Sequence, residues 1–196
     1  MNFEAKSVLT FEPLPHIYRL DGQRVPSVTG VLQAITNFDR VPFDILEAAR
    51  IFGHHVHKAV DLFNRGVLDE TDLDPALVPR LKQYKRFLRE SKFQVVHSEE
   101  QVAHRTHGYA GTLDIRGMLH RHSALVDLKS GVVPRSVGPQ TAGYQAACEH
   151  RPRNRYCLQL MDNDYRLFPL KNGSDFSMFL SCLNVYRFNQ KDFPYG

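Results

Sequence analysis

The stretch 109–145, YAGTLDIRGMLHRHSALVDLKSGVVPRSVGPQTAGYQ, contains two short runs whose side chains alternate, TLDIRG at 112–117 and ALVDLKS at 124–130. A strand period of two puts Leu113 and Ile115 on one side of the first run and Thr112, Asp114 and Arg116 on the other. In the second run Val126 and Leu128 oppose Leu125, Asp127 and Lys129, so each strand carries one apolar and one charged face. Pairing the runs across a turn near His120 and Arg121 sets residues whose numbers sum to 241 opposite one another, and Asp114 then faces Asp127. A loop two residues longer shifts the partner of Asp114 to Lys129 and keeps all three groups on one face. A one-residue slip carries the acids in among the aliphatics and is disfavoured. Directly opposed carboxylates lie roughly 5 Å apart and destabilise a sheet, and a bound divalent cation is the natural compensation. No Asn-Gly signal marks the turn, so strand pairing and not the loop must select the hairpin. On these residues alone, a half-exposed hairpin with solvated charges stays open as the plain alternative.

The rest of the chain supplies elements around this pair. Its 196 residues, 42% hydrophobic and 23% charged, suffice for one core. A net charge of +4 is compatible with a polyanionic partner without demanding one. Cys148, Cys157 and Cys182 are widely spaced and odd in number, which suggests neither a disulfide framework nor a CxxC metal knuckle. No apolar run approaches the roughly 20 residues of a membrane helix, and no apolar signal core opens the chain. Asp21-Gly22 predicts a tight hairpin within 14–25. Ser27 is a candidate N-cap for a helix over 28–38, and the apolar spacing predicts further helices over 42–65 and 74–90. Lys82, Lys85, Arg86 and Arg89 share one side of the last of these, a face able to track phosphates or simply to be solvated. FQVVHSEEQVA at 93–103 reads as the first core strand. A helix in GPQTAGYQAACEH, a second hairpin with its turn near Asn163 and a final helix over 175–188 follow the active stretch. The basic loop His150–Arg155 lies between that first helix and the second hairpin.

Taken in order, GTLD at 111–114, VDLKSG at 126–131 and QTAGY at 140–144 resemble the Asp, Asp-x-Lys and Gln-x-x-x-Tyr elements of the PD-(D/E)XK nuclease superfamily, in its RecB-like exonuclease branch. VPSVTGVL at 25–32 resembles the segment before the nuclease core in phage exonucleases and in the mitochondrial genome maintenance exonuclease. Gly53 and His57 are similar to the branch's Gly-x-x-x-His element. Ser130 stands where many relatives have threonine.

The resemblance implies an α/β fold of α+β type: a restriction-endonuclease-like core, with a central mixed sheet flanked by helices and an N-terminal hairpin and helical extension. It implies one nuclease domain over 1–196, with the hairpin and helices in 1–90, the catalytic sheet and helix in 91–170 and a closing helix in 171–196. The implied activity is metal-dependent DNA exonuclease cleavage in recombination, replication or repair. Structure-specific or restriction-type endonuclease cleavage, or DNA binding without turnover, are the alternatives. The implied ligands of one or two Mg²⁺ or Mn²⁺ ions are Asp114, Asp127, the backbone carbonyl of Leu128 and His57, the imidazole tilting preference toward Mn²⁺. Glu100 is the additional acid that the resemblance implies; under strict alternation Glu99 points to the other face, so only one of the two can serve. Lys129, a donor with no lone pair for a cation, is expected to hold the attacking water, and Gln140, Tyr144 and Ser130 to line or support the site. His54, His57 and Asp61 form a minor zinc-like alternative that lacks a fourth ligand; Asp61 otherwise orients His57 or is solvated. Three cysteines cannot supply the four that hold an iron–sulfur cluster in some relatives, so none is expected. DNA is the expected partner, with a homo-oligomer or a single-strand-binding or recombination protein beside it, in the cytoplasm of a bacterial or phage-infected cell. No Walker-type loop or helicase motif accompanies these elements.

Overall fold

The computed structural model describes residues 8–36 and 41–190. Five strands, β4 (Gln94–His104), β5 (Tyr109–Leu119), β6 (His122–Lys129), β7 (Asn154–Leu160) and β8 (Tyr165–Pro169), form the central sheet in that order. β6 and β7 are parallel and joined by helix α4 (Val137–Ala147), while every other neighbouring pair is antiparallel. The sheet is therefore mixed, and the fold is of the α+β type with helices on both faces. Helices α2 (Phe43–Asn64) and α3 (Val78–Ser91) bury Val56, Val60, Leu81 and Phe87 in one core. Helix α1 (Val28–Val31), α4 and α5 (Asp175–Asn189) close a second core around Val28, Leu113, Leu125, Tyr144 and Phe179.

The central hairpin has the register of the 241 sum, from Ile115↔Val126 to Leu119↔His122. Its two turn residues, His120 at φ 48° and Arg121 at φ 66°, are both left-handed. That conformation normally selects Asn-Gly, so the pairing of the strands imposes it on residues that do not favour it.

The expectation of one apolar and one charged face per strand is corrected. Leu113 lies in the α4/α5 core and Ile115 in the α2/α3 core, so alternation breaks between them, at Asp114. The neighbouring strand explains the break. β4 shifts register between Val95 and His97, and Glu99 adopts φ 51°. The rungs Ser98↔Ile115 and Glu100↔Leu113 bracket Glu99 and Asp114. A left-handed residue kinks a strand and re-aims the side chains on either side of it.

The N-terminal hairpin gains a strand, so that β1 (Leu9–Glu12), β2 (Ile17–Leu20) and β3 (Gln23–Val25) make a separate antiparallel sheet. Asp21 and Gly22 form its tight turn, at φ 53° and 80°. The Tyr18 hydroxyl lies 2.7 Å from Thr112 Oγ1 and ties this sheet to the start of β5.

Two helices differ from their predicted bounds. α1 holds a single turn and passes into a 3-10 turn at Leu32–Ile35; Asn37 and Phe38, the end of the helix expected over 28–38, lie outside the described residues. Ser27 Oγ does cap it, accepting from Gly30 N–H at 3.0 Å, but only Val28, Val31 and Leu32 have a core to enter while Gln33–Ile35 face solvent. α3 starts at Val78, because the Asp74 side chain caps a turn by accepting from Ala76 N–H at 2.8 Å. The basic face of α3 is half neutralised: Lys85 pairs with Glu70, and Arg86 with Glu90 and Asp164, while Lys82 and Arg89 make no ion pair among the described residues.

Candidate metal centre

Three elements bring ligand atoms together where β5 and β6 part. His57 arrives from α2, Glu99 from β4 and Asp114 from β5, and one ligand atom of each lies within 4.8 Å of the others. His57 Nδ1 stands 3.2 Å from Asp114 Oδ1. The second oxygen of Asp114 accepts the Leu128 N–H at 2.6 Å. Asp114 thus bridges from β5 to the backbone of β6 just beyond the last ladder rung, Ile115↔Val126.

Asp127 lies beside this group and is 1% exposed. Lys129 Nζ is 2.7 Å from its Oδ2 in an ion pair, whereas Oδ1 has no hydrogen-bond partner among the described residues. A buried carboxylate oxygen left without a hydrogen bond is costly. A hard divalent cation satisfies such oxygens, and a set of one imidazole and several carboxylates suits one chemically. The residues present therefore fit a metal.

The electrostatics carry the same mark of crowded negative charge. Burial pushes Asp127 up to about 6, with the charge of Asp114 adding to it against the opposing Lys129. Glu99 is exposed as a residue, but desolvation of its carboxyl and the neighbouring Asp114 raise it to about 7. Burial disfavours charge on His57, yet Asp114 outweighs burial and lifts the imidazole to about 9. Burial likewise opposes ionisation of Asp114, and His57, Lys129 and the Leu128 N–H outweigh it and hold Asp114 below its ordinary range. Desolvation pulls Lys129 down, but Asp127 and Asp114 overcome it and keep the ammonium above its usual range. Lys129 stays a cation at neutral pH.

Of the residues singled out in the sequence, the structure gathers His57, Asp114, Asp127, Lys129, Gln140 and Tyr144. Gln140 Oε1 lies 3.5 Å from Lys129 Nζ, at the limit of a hydrogen bond. Tyr144 is buried, and burial followed by the charges of Asp114 and Asp127 drives its hydroxyl well above the ordinary range. Its ring packs over Gly111, where an added Cβ would come within 2.6 Å of Tyr144 Cε1. The glycine of the GTLD run is thereby explained. A Cβ built on Gly53 of α2 would lie 3.5 Å from Ser130 Oγ, so helix and strand meet at the Gly-x-x-x-His element and the serine. Leu128 contributes the N–H already described.

Glu100 is not brought to this group. Its carboxylate is bound by Arg116, at 2.6 Å from Nε and 2.7 Å from Nη2. Glu99 takes the place expected of Glu100, because the kink in β4 breaks the strict alternation that had turned Glu99 away. The adjacent Glu-Glu pair was the available signal, and no local sequence pattern announced the kink. Asp61, one turn beyond His57, is buried at 5% exposure with Lys58 at 3.9 Å and Arg65 at 3.6 Å. Neither it nor His54 joins a ligand group with His57 among the described residues. The three cysteines are buried and free, and no described helix is long and apolar enough to cross a membrane.

No protein-family model matches the chain, and no curated protein matches it in sequence. Solved structures do match its fold. One from Eubacterium rectale, named as a candidate exonuclease, is 12% identical and superposes with a TM-score of 0.57 over 84% of this chain and 79% of its own. An alkaline exonuclease from Laribacter hongkongensis is 12% identical with a TM-score of 0.45, over 83% of this chain and 86% of its own, and has also been solved with dAMP. At 12% identity the likeness to the Eubacterium rectale structure is one of fold.

Proposed function

We propose that this protein is a Mg²⁺- or Mn²⁺-dependent deoxyribonuclease of the PD-(D/E)XK type, acting as an exonuclease in DNA recombination, replication or repair. The observation that carries the reading is the convergence of His57, Glu99 and Asp114 beside a buried Asp127, one oxygen of which is paired with the Lys129 ammonium while the other lacks a hydrogen bond. The fold shared with a candidate exonuclease supports it.

Asp114, Asp127, His57 and Glu99 are the residues that would hold the ion, together with the Leu128 carbonyl. The bound ion supplies Lewis acidity toward the phosphoryl oxygens and lowers the pKa of a bound water. The chain's own groups do the rest. Lys129, kept cationic by two carboxylates, donates to the attacking water and offsets negative charge growing on the phosphorane-like transition state. Asp127 fixes the ammonium at 2.7 Å, and Gln140 limits its swing from the other side. Tyr144, wedged on Gly111, closes the back of the site to water. Asp114 orients His57 through the contact at 3.2 Å. Ser130, set against Gly53, supports the approach of α2 to the strand.

The test is hydrolysis of end-labelled linear DNA and covalently closed circular DNA with Mg²⁺ or Mn²⁺. Linear DNA should be shortened from its ends and closed circles left intact. Asp127→Ala and Lys129→Ala should each reduce turnover by about 10²–10³-fold or more while far-UV circular dichroism stays unchanged. Full activity in either variant overturns the assignment. Cutting of closed circles would make the enzyme an endonuclease, and metal binding without any hydrolysis would make it a binding protein.

A further inference from the structure

The basic loop His150–Arg155 takes no part in the metal centre, yet its Arg151, Arg153, Asn154 and Arg155 line one wall of a cavity. This cavity, of about 260 Å³, opens beside the start of β7 and the end of β8. Arg151, Arg153 and Lys171 line it, and no carboxylate does. Arg155 is also in the wall, but its guanidinium is consumed by Asp175 at 2.9 Å and by the Gly138 carbonyl at 2.7 Å. That buried pair stiffens the floor and contributes no net charge. None of Arg151, Arg153 and Lys171 has an acidic partner among the described residues. Three like charges around one concavity repel one another, and an anion relieves that repulsion.

Size and surroundings narrow the anion. The volume falls just below the roughly 300 Å³ at which pockets for drug-sized ligands begin, and a phosphate with its sugar is of a size to fit. Asn154, which also lines it, adds a neutral polar group of the kind that pairs with phosphate and sugar oxygens. Position separates the cavity from the metal centre. The two share no residue: Asp127 of the centre pairs in the ladder with Cys157, and Arg155 lies two residues back along the same strand, roughly 7 Å away at the usual strand rise.

We propose that this cavity is a second phosphate-binding site, which holds a backbone phosphate of a nucleic-acid strand away from the position of cleavage. The nucleic-acid source of that phosphate rests on the nuclease reading; the phosphate chemistry does not.

The test is NMR titration of the ¹⁵N-labelled full chain in EDTA, first with inorganic phosphate and then with a short single-stranded oligodeoxynucleotide. EDTA removes cleavage, so the result is independent of whether the metal centre is catalytic. Phosphate should shift the amides of residues 151, 153–156 and 171–176, and Arg151→Ala combined with Lys171→Ala should weaken that response at least tenfold. The oligonucleotide should shift the same amides at lower concentration, and the double variant should flatten the salt dependence of binding by about 0.7, the slope carried by the one phosphate the site holds. A response to phosphate alone keeps the site and moves its ligand to free phosphate esters. Absence of shifts there with both probes, or shifts that survive the double variant, overturns the proposal.

Discussion

At the scale of single residues, the choice between Glu99 and Glu100 decides how the metal centre is read. Both are carboxylates of β4, but Glu99 faces His57 and Asp114 whereas Glu100 is occupied by Arg116. Glu99→Gln should therefore weaken Mn²⁺ binding by about tenfold or more in isothermal titration, in line with the usual loss when a metal-site group is changed. Glu100→Gln should leave that affinity unchanged and lower stability by about 1 kcal/mol, since its ion pair is only partly shielded from water. The reverse pattern would return the metal role to Glu100. The sequence placed both acids on the correct strand. It did not show which one turns inward, because the left-handed φ of 51° at Glu99 is set by pairing with β5 and not by the residue's own preference.

At the scale of elements, the β5–β6 hairpin shows how far alternation can be trusted. Its register was legible to within a two-residue shift, because a one-step slip would have carried Asp114 and Asp127 in among the aliphatics, while the tight turn at His120 and Arg121 alone chose the 241 sum over the longer loop. The fates of Leu113 and Ile115 were not legible. They share a parity in the chain yet enter different cores, since both faces of this sheet are covered by helices. The turn carries a local conflict that pairing overrides, with His120 and Arg121 exposed and left-handed. The double substitution His120→Asn with Arg121→Gly supplies the residue types that this turn favours. It should stabilise the protein by about 1 kcal/mol in urea unfolding, with no change in metal affinity. A loss of stability would show that the two native side chains make contacts worth more than the backbone strain. α1 behaves in the complementary way: a correct N-cap at Ser27 began the helix, but the supply of core to bury ended it after one turn.

At the scale of the whole molecule, the centre stores negative charge in a buried place, and stability without metal should report it. Asp127, Glu99 and His57 are all raised in the folded state, to about 6, 7 and 9. A group whose pKa is raised by folding contributes stability that is complete below its unfolded value and is lost as pH rises through its folded value. With EDTA present, the melting temperature should therefore fall as pH rises from about 5 to 9. Adding Mn²⁺ should restore it most at the alkaline end, where the ligands have lost their protons. A metal-free melting temperature that is flat or rises over this range would contradict the charge arrangement described for the centre.

The sequence by itself determined the main strands and helices from residue 14 onward, the hairpin register to within two residues, the acids and lysine of β5 and β6, and the helix that carries His57, because periodicity and turn chemistry are local properties. Tertiary structure alone decided that Glu99 and not Glu100 meets His57 and Asp114, that Leu113 and Ile115 part company, and that Arg151, Arg153 and Lys171 surround one cavity. Each of these depends on how strands kink and on which segments distant in the chain come to lie side by side, and neither is encoded in the spacing of neighbouring residues.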